Sequence, residues 1–309
     1  MIELRKSLED YLAIRSSLGF ELRLAGAALH NFISFLEYAR APFITRDLAL
    51  RWATQPKDVQ PSQWANRLGM VRRFAQYRSA EDPRTEIPPQ GLLPHRYHRK
   101  PPYIYSDDEI TLLIEAAKQL SSTIGLRPYT YSTLFGLLAV TGMRMSEPIG
   151  LNREEVDLSR GVLTIRRGKF GKSRLIPIHS TTMNVLRHYA CLRDQIFPKP
   201  KTSSFLVSDH GTRLTDCTVR WTFVKLSHRI GLRSPSDRRG PRLYDLRHRF
   251  AIKTLLSWYR NSIDVEQHIP ELATYLGHVH VADTYWYLQA IPELLRLAAM
   301  RMEGEEGLS

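Results

Sequence analysis

The stretch EIPPQGLLPHRYHRKPPYIY, residues 86–105, divides the chain. Proline lacks a backbone donor and clashes with the preceding helical turn, so no helix runs through this segment. Before it, apolar residues recur at helical spacing: Leu4, Leu8, Tyr11, Leu12 and Ile14, then Leu29, Phe32, Ile33 and Leu36. Thr45 is placed to cap a third helix through Leu48, Leu50 and Trp52. A fourth, over residues 62–77, turns Trp64, Leu68, Val71 and Phe74 inward and leaves Arg67, Arg72 and Arg78 outside. The chain has 309 residues, more than one core usually holds. The expectation is a helical domain over 1–85, a basic proline-rich linker over 86–104 and a larger domain over 105–309.

Beyond the linker, Ser106 and Glu109 read as a capping box before Leu112, Leu113 and Ile114. The acidic triplet Asp107, Asp108 and Glu109 then suits the positive end of a helix dipole better than a metal. From Gly161 the period changes. GVLTIRR and SRLIPIH are short and β-branched, joined by GKFGK, which predicts a hairpin. Helices are expected again over 181–197, 216–230 (capped by Asp216) and 243–259. The fold class is mainly α with a small antiparallel sheet (α+β).

No run approaches the roughly 18 apolar residues of a membrane span. The opening MIELRKSLEDYL has no apolar leader block, so a soluble cytoplasmic protein is expected. Cys191 and Cys217 are the only cysteines, too few for a disulfide framework or a thiolate metal cage. The 44 Lys and Arg exceed the 31 Asp and Glu by 13, a field that draws polyanions. The basic residues also cluster: Arg72 and Arg73; Arg96, Arg99 and Lys100 in the linker; Arg166 to Lys172; and Arg238, Arg239 and Arg242. Nucleic acid is the expected partner.

In TGMRMSEPIGL, residues 141–151, Arg144 and Glu147 are three apart and can touch. In LYDLRHRFA, Arg247 lies on another helix with Tyr244 one turn before it. His248, next to Arg247, points about 100° away from it on that helix. Two arginines on separate helices suit a bidentate grip on one phosphodiester. Lys169, at the expected hairpin tip, reads either as a solvated turn residue or as a mobile proton donor able to enter a groove beside a strained phosphate.

Arg144 in TGMRMSE, the lysine of GKFGKSRLIPI, Arg247 in YDLRH, His278 in YLGH and a tyrosine shortly after it resemble, in order and spacing, the signature of the tyrosine recombinases, or phage integrases. The likeness runs from about Tyr105 to Leu288. It implies a catalytic domain preceded by a helical, SAM-like core-binding domain. In that family the nucleophile follows the histidine by nine positions, which selects Tyr287 over Tyr285 and Tyr275. Tyr285 and Trp286 then become packing residues, Tyr275 belongs to the preceding helix, and His280 is exposed. The family usually has histidine where this chain has Tyr244.

The resemblance implies a site-specific recombinase that cleaves and rejoins DNA through a 3′-phosphotyrosyl intermediate, with no metal, cofactor or ATP. Tyr287 would attack, Arg144 and Arg247 would hold the phosphate, and Lys169 would protonate the leaving oxygen. Glu147 would orient Arg144, His278 would bond a phosphate oxygen, and Tyr244 would bond the phosphate or position the nucleophile. Arg72, Arg73, Arg96, Arg99, Lys100, Lys172 and Arg242 are the DNA-binding candidates. Expected partners are a duplex with inverted repeats, further copies of the chain in a tetramer joined by the helix within residues 291–302, and a possible second recombinase, in a bacterial nucleoid. Two other readings remain open here: a DNA-binding protein without cleavage, and a type IB topoisomerase.

Overall fold

A computed structural model of the chain describes residues 2–95, 101–166, 173–234, 236–237, 240–289 and 292–306. Arg96, Arg99, Lys100, Lys169 and Lys172 lie outside the described residues, as do Arg238 and Arg239. The chain forms two compact units, Met1–Lys100 and Pro101–Ser309.

The first unit contains α1 (Ile2–Ser17), α2 (Arg23–Tyr38), α3 (Arg46–Thr54) and α4 (Pro61–Arg78). Thr45 caps α3 by accepting from the Leu48 N–H at 3.2 Å. Leu8, Leu29, Phe32, Ile33, Leu36, Trp52, Val71 and Phe74 form its core. Two expectations are corrected here. Ile14 is exposed at the end of α1. Arg78 is buried, donating to Glu81 at 2.7 Å, and Glu81 also accepts from Ser7 of α1. A partnered charge can be buried where a lone one cannot, and apolar spacing does not reveal the partner. Arg67 is half-buried, stacked over Trp52 at 3.7 Å.

The second unit opens with α5 (Asp107–Lys118), where Ser106 and Glu109 make the reciprocal capping box. Asp107 does more than meet the dipole, because Arg249 and Lys253 of a later helix both donate to it. The central helix α6 (Arg127–Thr141) is buried along most of its length, as a helix apolar all round must be. After the short α7 (Ser146–Gly150) comes an antiparallel sheet of β1 (Val156–Asp157), β2 (Val162–Ile165) and β3 (Arg174–Pro177), in that order. Leu163 faces Ile176 and Ile165 faces Arg174.

Then follow α8 (Ser180–Ile196), α9 (Asp216–Arg229), α10 (Leu243–Arg260), α11 (Val265–Leu276), α12 (Ala282–Tyr285), a 3₁₀ turn (Trp286–Gln289) and α13 (Pro292–Glu306). The cap of α9 is Thr215, accepting from the Thr218 N–H at 3.2 Å, and Asp216 is the first helical residue instead. Leu294 of α13 is buried with Ala251, Leu255 and Tyr287, and Glu293 accepts from Arg260 at 2.6 Å. In this single chain α13 therefore packs on its own unit.

Candidate active site

The site is built where α6, α10 and α11 end or cross. Gly142 ends α6 in the left-handed region, φ 60°, and a Cβ there would lie 2.6 Å from the Phe250 ring. The chain turns at once, so Arg144 stands on a turn between α6 and α7 and not on a helix, as its sequence context suggested. Glu147, in the first turn of α7, accepts from the Arg144 backbone N–H at 2.8 Å and from Arg144 Nη1 at 3.0 Å. Glu147 is buried and Arg144 half-buried, so the weak energetics of a fully solvated ion pair do not apply to them.

α11 ends in a similar way at Gly277, φ 70°. The last carbonyls of a helix have no intrahelical donor and carry the negative end of its dipole. Here three arginines supply those donors. Arg174 Nε donates to Tyr275 O, Arg247 Nη2 to Leu276 O and Arg144 Nη2 to Gly277 O, each at 2.7 Å. The glycine of YLGH is required on both counts. Its φ is disfavoured for other residues, and a Cβ would lie 2.9 Å from Arg174 Nη1 and 3.3 Å from Arg144 Nη1.

Arg247 is 1% exposed and also donates to Gly142 O at 3.0 Å. Its Nε is buried without an acceptor among the described residues. His278 follows Gly277, and its Nδ1 lies 2.7 Å from the hydroxyl of the buried Thr284. Burial, then the charges of Arg247 and Arg144, push the imidazole down to about 4, so it is neutral near pH 7. Its ring stacks on Tyr287, centroids 6.1 Å apart. Tyr287 lies in the 3₁₀ turn and is 2% exposed. Burial pushes its phenol up to about 12, against the pull of Arg247.

The structure thus brings Arg144, Glu147, Arg247, His278 and Tyr287 together. Tyr244 stands at the margin, 46% exposed, its ring edge-on to His248 at 4.7 Å. His248 is a correction to the sequence reading. Although it lies off the Arg247 face, it is buried and meets Tyr287 at 5.4 Å, because the 3₁₀ turn wraps against that side of α10. Trp286 packs on His248 at 5.2 Å, whereas Tyr285 is exposed and packs no nucleophile helix. Tyr275 stacks on Phe250, and His280 is exposed. Arg72 and Arg73 are in the first unit, lining a groove with Gly69 and Leu92. Arg242 precedes α10, donating to the Asp245 carboxylate through its backbone N–H at 2.8 Å and through Nη2 at 2.7 Å.

Sequence reasoning passed over Arg174. It donates to both oxygens of Glu147, at 2.9 and 2.8 Å. The signal was present in the period of two, since Arg174 shares a strand face with Ile176, which is fully buried. A charge on the inward face of a strand implies a buried partner. The cluster of three guanidiniums and one carboxylate carries two net positive charges, held in a site poorly reached by water.

The phage integrase family profile matches residues 104–293. The chain belongs to that family. The putative integrase/recombinase y4rB of Sinorhizobium fredii is 48% identical over 307 residues, 98% of each chain. The Tn1549 transposon integrase, solved in complex with transposon right end DNA, superposes with a TM-score of 0.65 at 13% identity, covering 97% of this chain and 98% of that one. The XerH site-specific recombinase, bound to palindromic difH substrate in a post-cleavage complex, gives 0.64 at 17% identity, covering 91% and 78%. As a member of the phage integrases, or tyrosine recombinases, the chain shares their mostly helical catalytic fold with its small antiparallel sheet. Among the described residues no helix is long and apolar enough to cross a membrane.

Proposed function

We propose that the chain cuts and rejoins double-stranded DNA by transesterification at Tyr287, without metal or ATP. Family membership supports strand exchange as the reaction. The single observation that carries the residue assignment is the placement of Tyr287 against His278 and within reach of the Arg247 charge. The phenol oxygen attacks the scissile phosphorus and gives up its proton to water or to the phosphate itself, the bond to the 5′-oxygen breaks, and a 3′-phosphotyrosyl link replaces it. The reacting phosphate passes from one negative charge towards two in the phosphorane. The net two positive charges of Arg144, Arg174, Arg247 and Glu147 match that change and act strongly where water is excluded.

In this reading Arg144 and Arg247 grip the non-bridging oxygens, the unpartnered Arg247 Nε being one donor. His278 bonds a phosphate oxygen, Glu147 holds Arg144, and Lys169 protonates the leaving 5′-oxygen. Tyr244 donates to the phosphate from the margin. The first unit and the proline-rich segment bind the flanking backbone through Arg72, Arg73, Arg96, Arg99 and Lys100, with Lys172 and Arg242 adding to the second unit. The duplex carries inverted repeats, four copies assemble on paired sites, and α13 moves from its own unit to a neighbour, with the enzyme at the bacterial nucleoid.

The test is a nicked duplex incubated with the protein in chelator and without nucleotide, followed by a denaturing gel. The parent and Tyr285→Phe should give a protein–DNA band, and Tyr287→Phe should give none while binding the duplex with unchanged affinity. A band from Tyr287→Phe would reassign the nucleophile. A native gel of a full site reads assembly on the same samples.

A further inference from the structure

Arg174 is bound differently from the other two arginines of the site. Every nitrogen of its guanidinium is engaged: Nε on Tyr275 O, Nη1 and Nη2 on the two oxygens of Glu147. Among the described residues the buried Arg247 Nε has no acceptor, and one nitrogen of the Arg144 side chain donates to Glu147. Arg174 is therefore poorly disposed to hold a phosphate, yet it touches what holds the groups that are. Glu147 fixes Arg144, and Tyr275 O belongs to the helix turn that delivers Leu276 O to Arg247, Gly277 O to Arg144, and then His278. Arg174 also opens β3, paired with Ile165 at the end of β2.

We propose that Arg174 is a positioning residue of the strand-transfer site: its bidentate pair with Glu147 and its bond to the end of α11 lock Arg144, His278 and strand β3 into one register. This rests on the transesterification reading.

Three consequences follow from the geometry. Lysine cannot reproduce a planar fork that meets a carboxylate and a carbonyl together, so charge alone does not replace Arg174. Misplacing Arg144 by a fraction of a bond length slows chemistry while leaving most of the DNA-facing surface intact. And the carboxylate of Glu147 loses two donors. Burial pushes Glu147 up, but the hydrogen bonds and charge of Arg174, then the backbone bond and charge of Arg144, hold it below the usual carboxylate range. The charged groups facing it are Arg144 from its own turn, Arg174 from β3 and Arg247 from α10. His278 lies beyond them, neutral above about pH 4. Without Arg174 the burial remains and the main opposing donors are gone, so Glu147 takes up protons at higher pH.

The experiment compares full-length parent, Arg174→Lys and Arg174→Gln by covalent-complex formation on a nicked duplex at saturating protein, by duplex affinity, and by amide hydrogen exchange at Gly277 and His278. Arg174→Lys keeps charge and length and guards against a folding defect in the glutamine variant. The lysine variant should react about 100-fold more slowly, the cost typical of a small misplacement of catalytic groups. Its duplex affinity should change less than about threefold, as expected when every neutralised phosphate stays neutralised. Arg174→Gln should add an acid limb, its rate falling more steeply than the parent's from pH 8 to 5.5. The Gly277 and His278 amides should exchange faster in both variants. A lysine variant as fast as the parent overturns the proposal, and so does a loss of affinity as large as the loss of rate, which makes Arg174 a phosphate ligand. Parallel pH profiles overturn it as well. If the parent itself forms no covalent complex, the functional reading fails. The exchange rates then still decide whether Arg174 locks the turn.

Discussion

In the first unit the guanidiniums of Arg73, exposed, and Arg72, half-buried against the expectation that it lies outside, reach over Gly69 of α4, while in the second Arg144, Arg174 and Arg247 are turned inward onto the last carbonyls of α11. The residue type is the same and the physics differs. A solvated arginine can neutralise a phosphate and release counterions, which adds affinity that salt removes. A buried one has already lost its water, so it must be held by fixed acceptors, and its field acts through a low dielectric on whatever charge develops nearby. The first arrangement suits holding a duplex, the second suits changing it.

The sharpest way to break this contrast is Gly277→Ala. The positive φ alone costs about 1–2 kcal/mol. The methyl would also push the Arg174 and Arg144 guanidiniums off their carbonyls. Covalent-complex formation should fall about 100-fold or more, as for other small displacements of reacting groups. A native-like rate with lowered thermal stability would mean that the arginines do not need their carbonyls.

Arg72→Ala with Arg73→Ala addresses the other side. The log-affinity against log-salt slope should shrink by about 0.9 for each phosphate that is no longer neutralised, and affinity at moderate salt should drop about 10- to 100-fold. The rate at saturating protein should stay that of the parent. A slower saturated rate would erase the division of labour between the units.

Tyr244 lies between the two regimes, half exposed yet packed against His248. Its phenol O–H is a hydrogen-bond donor that a phosphate oxygen can accept. Tyr244→Phe should slow single-turnover cleavage about 10-fold, the worth of one charge-assisted hydrogen bond. Tyr244→His should retain activity. A phenylalanine variant at the parent's rate would assign Tyr244 to packing.

The smallest effect concerns stability. His278 is held neutral in the fold down to about pH 4, whereas in the unfolded chain it takes a proton near 6.5. The unfolded state therefore binds more protons between those values, and stability falls as pH is lowered through that window. The thermal midpoint of His278→Gln should lose less than the parent's between pH 6.5 and 4. Identical losses would place the acid sensitivity elsewhere.

Much of the molecule was legible in the order of its residues. Helical spacing marked the core faces of α1, α2 and α4, Ser106 and Glu109 announced α5, and the β-branched runs gave away the hairpin, because local periodicity and capping are properties of neighbouring residues. Arg144, Arg247, His278 and Tyr287 were picked out by the resemblance to the recombinase signature. Tertiary structure alone decided which charges are buried and what holds them. Arg78 looked like a surface residue until Glu81 and Ser7 were folded against it. His248 looked turned away from the site until the 3₁₀ turn crossed α10. Arg174 was one more charge after a hairpin until Glu147 and Tyr275, 27 and 101 positions distant, were brought to its guanidinium. A sequence states which donors and acceptors exist. Burial, which makes them choose one another, exists only once segments far apart in the chain have displaced the water between them.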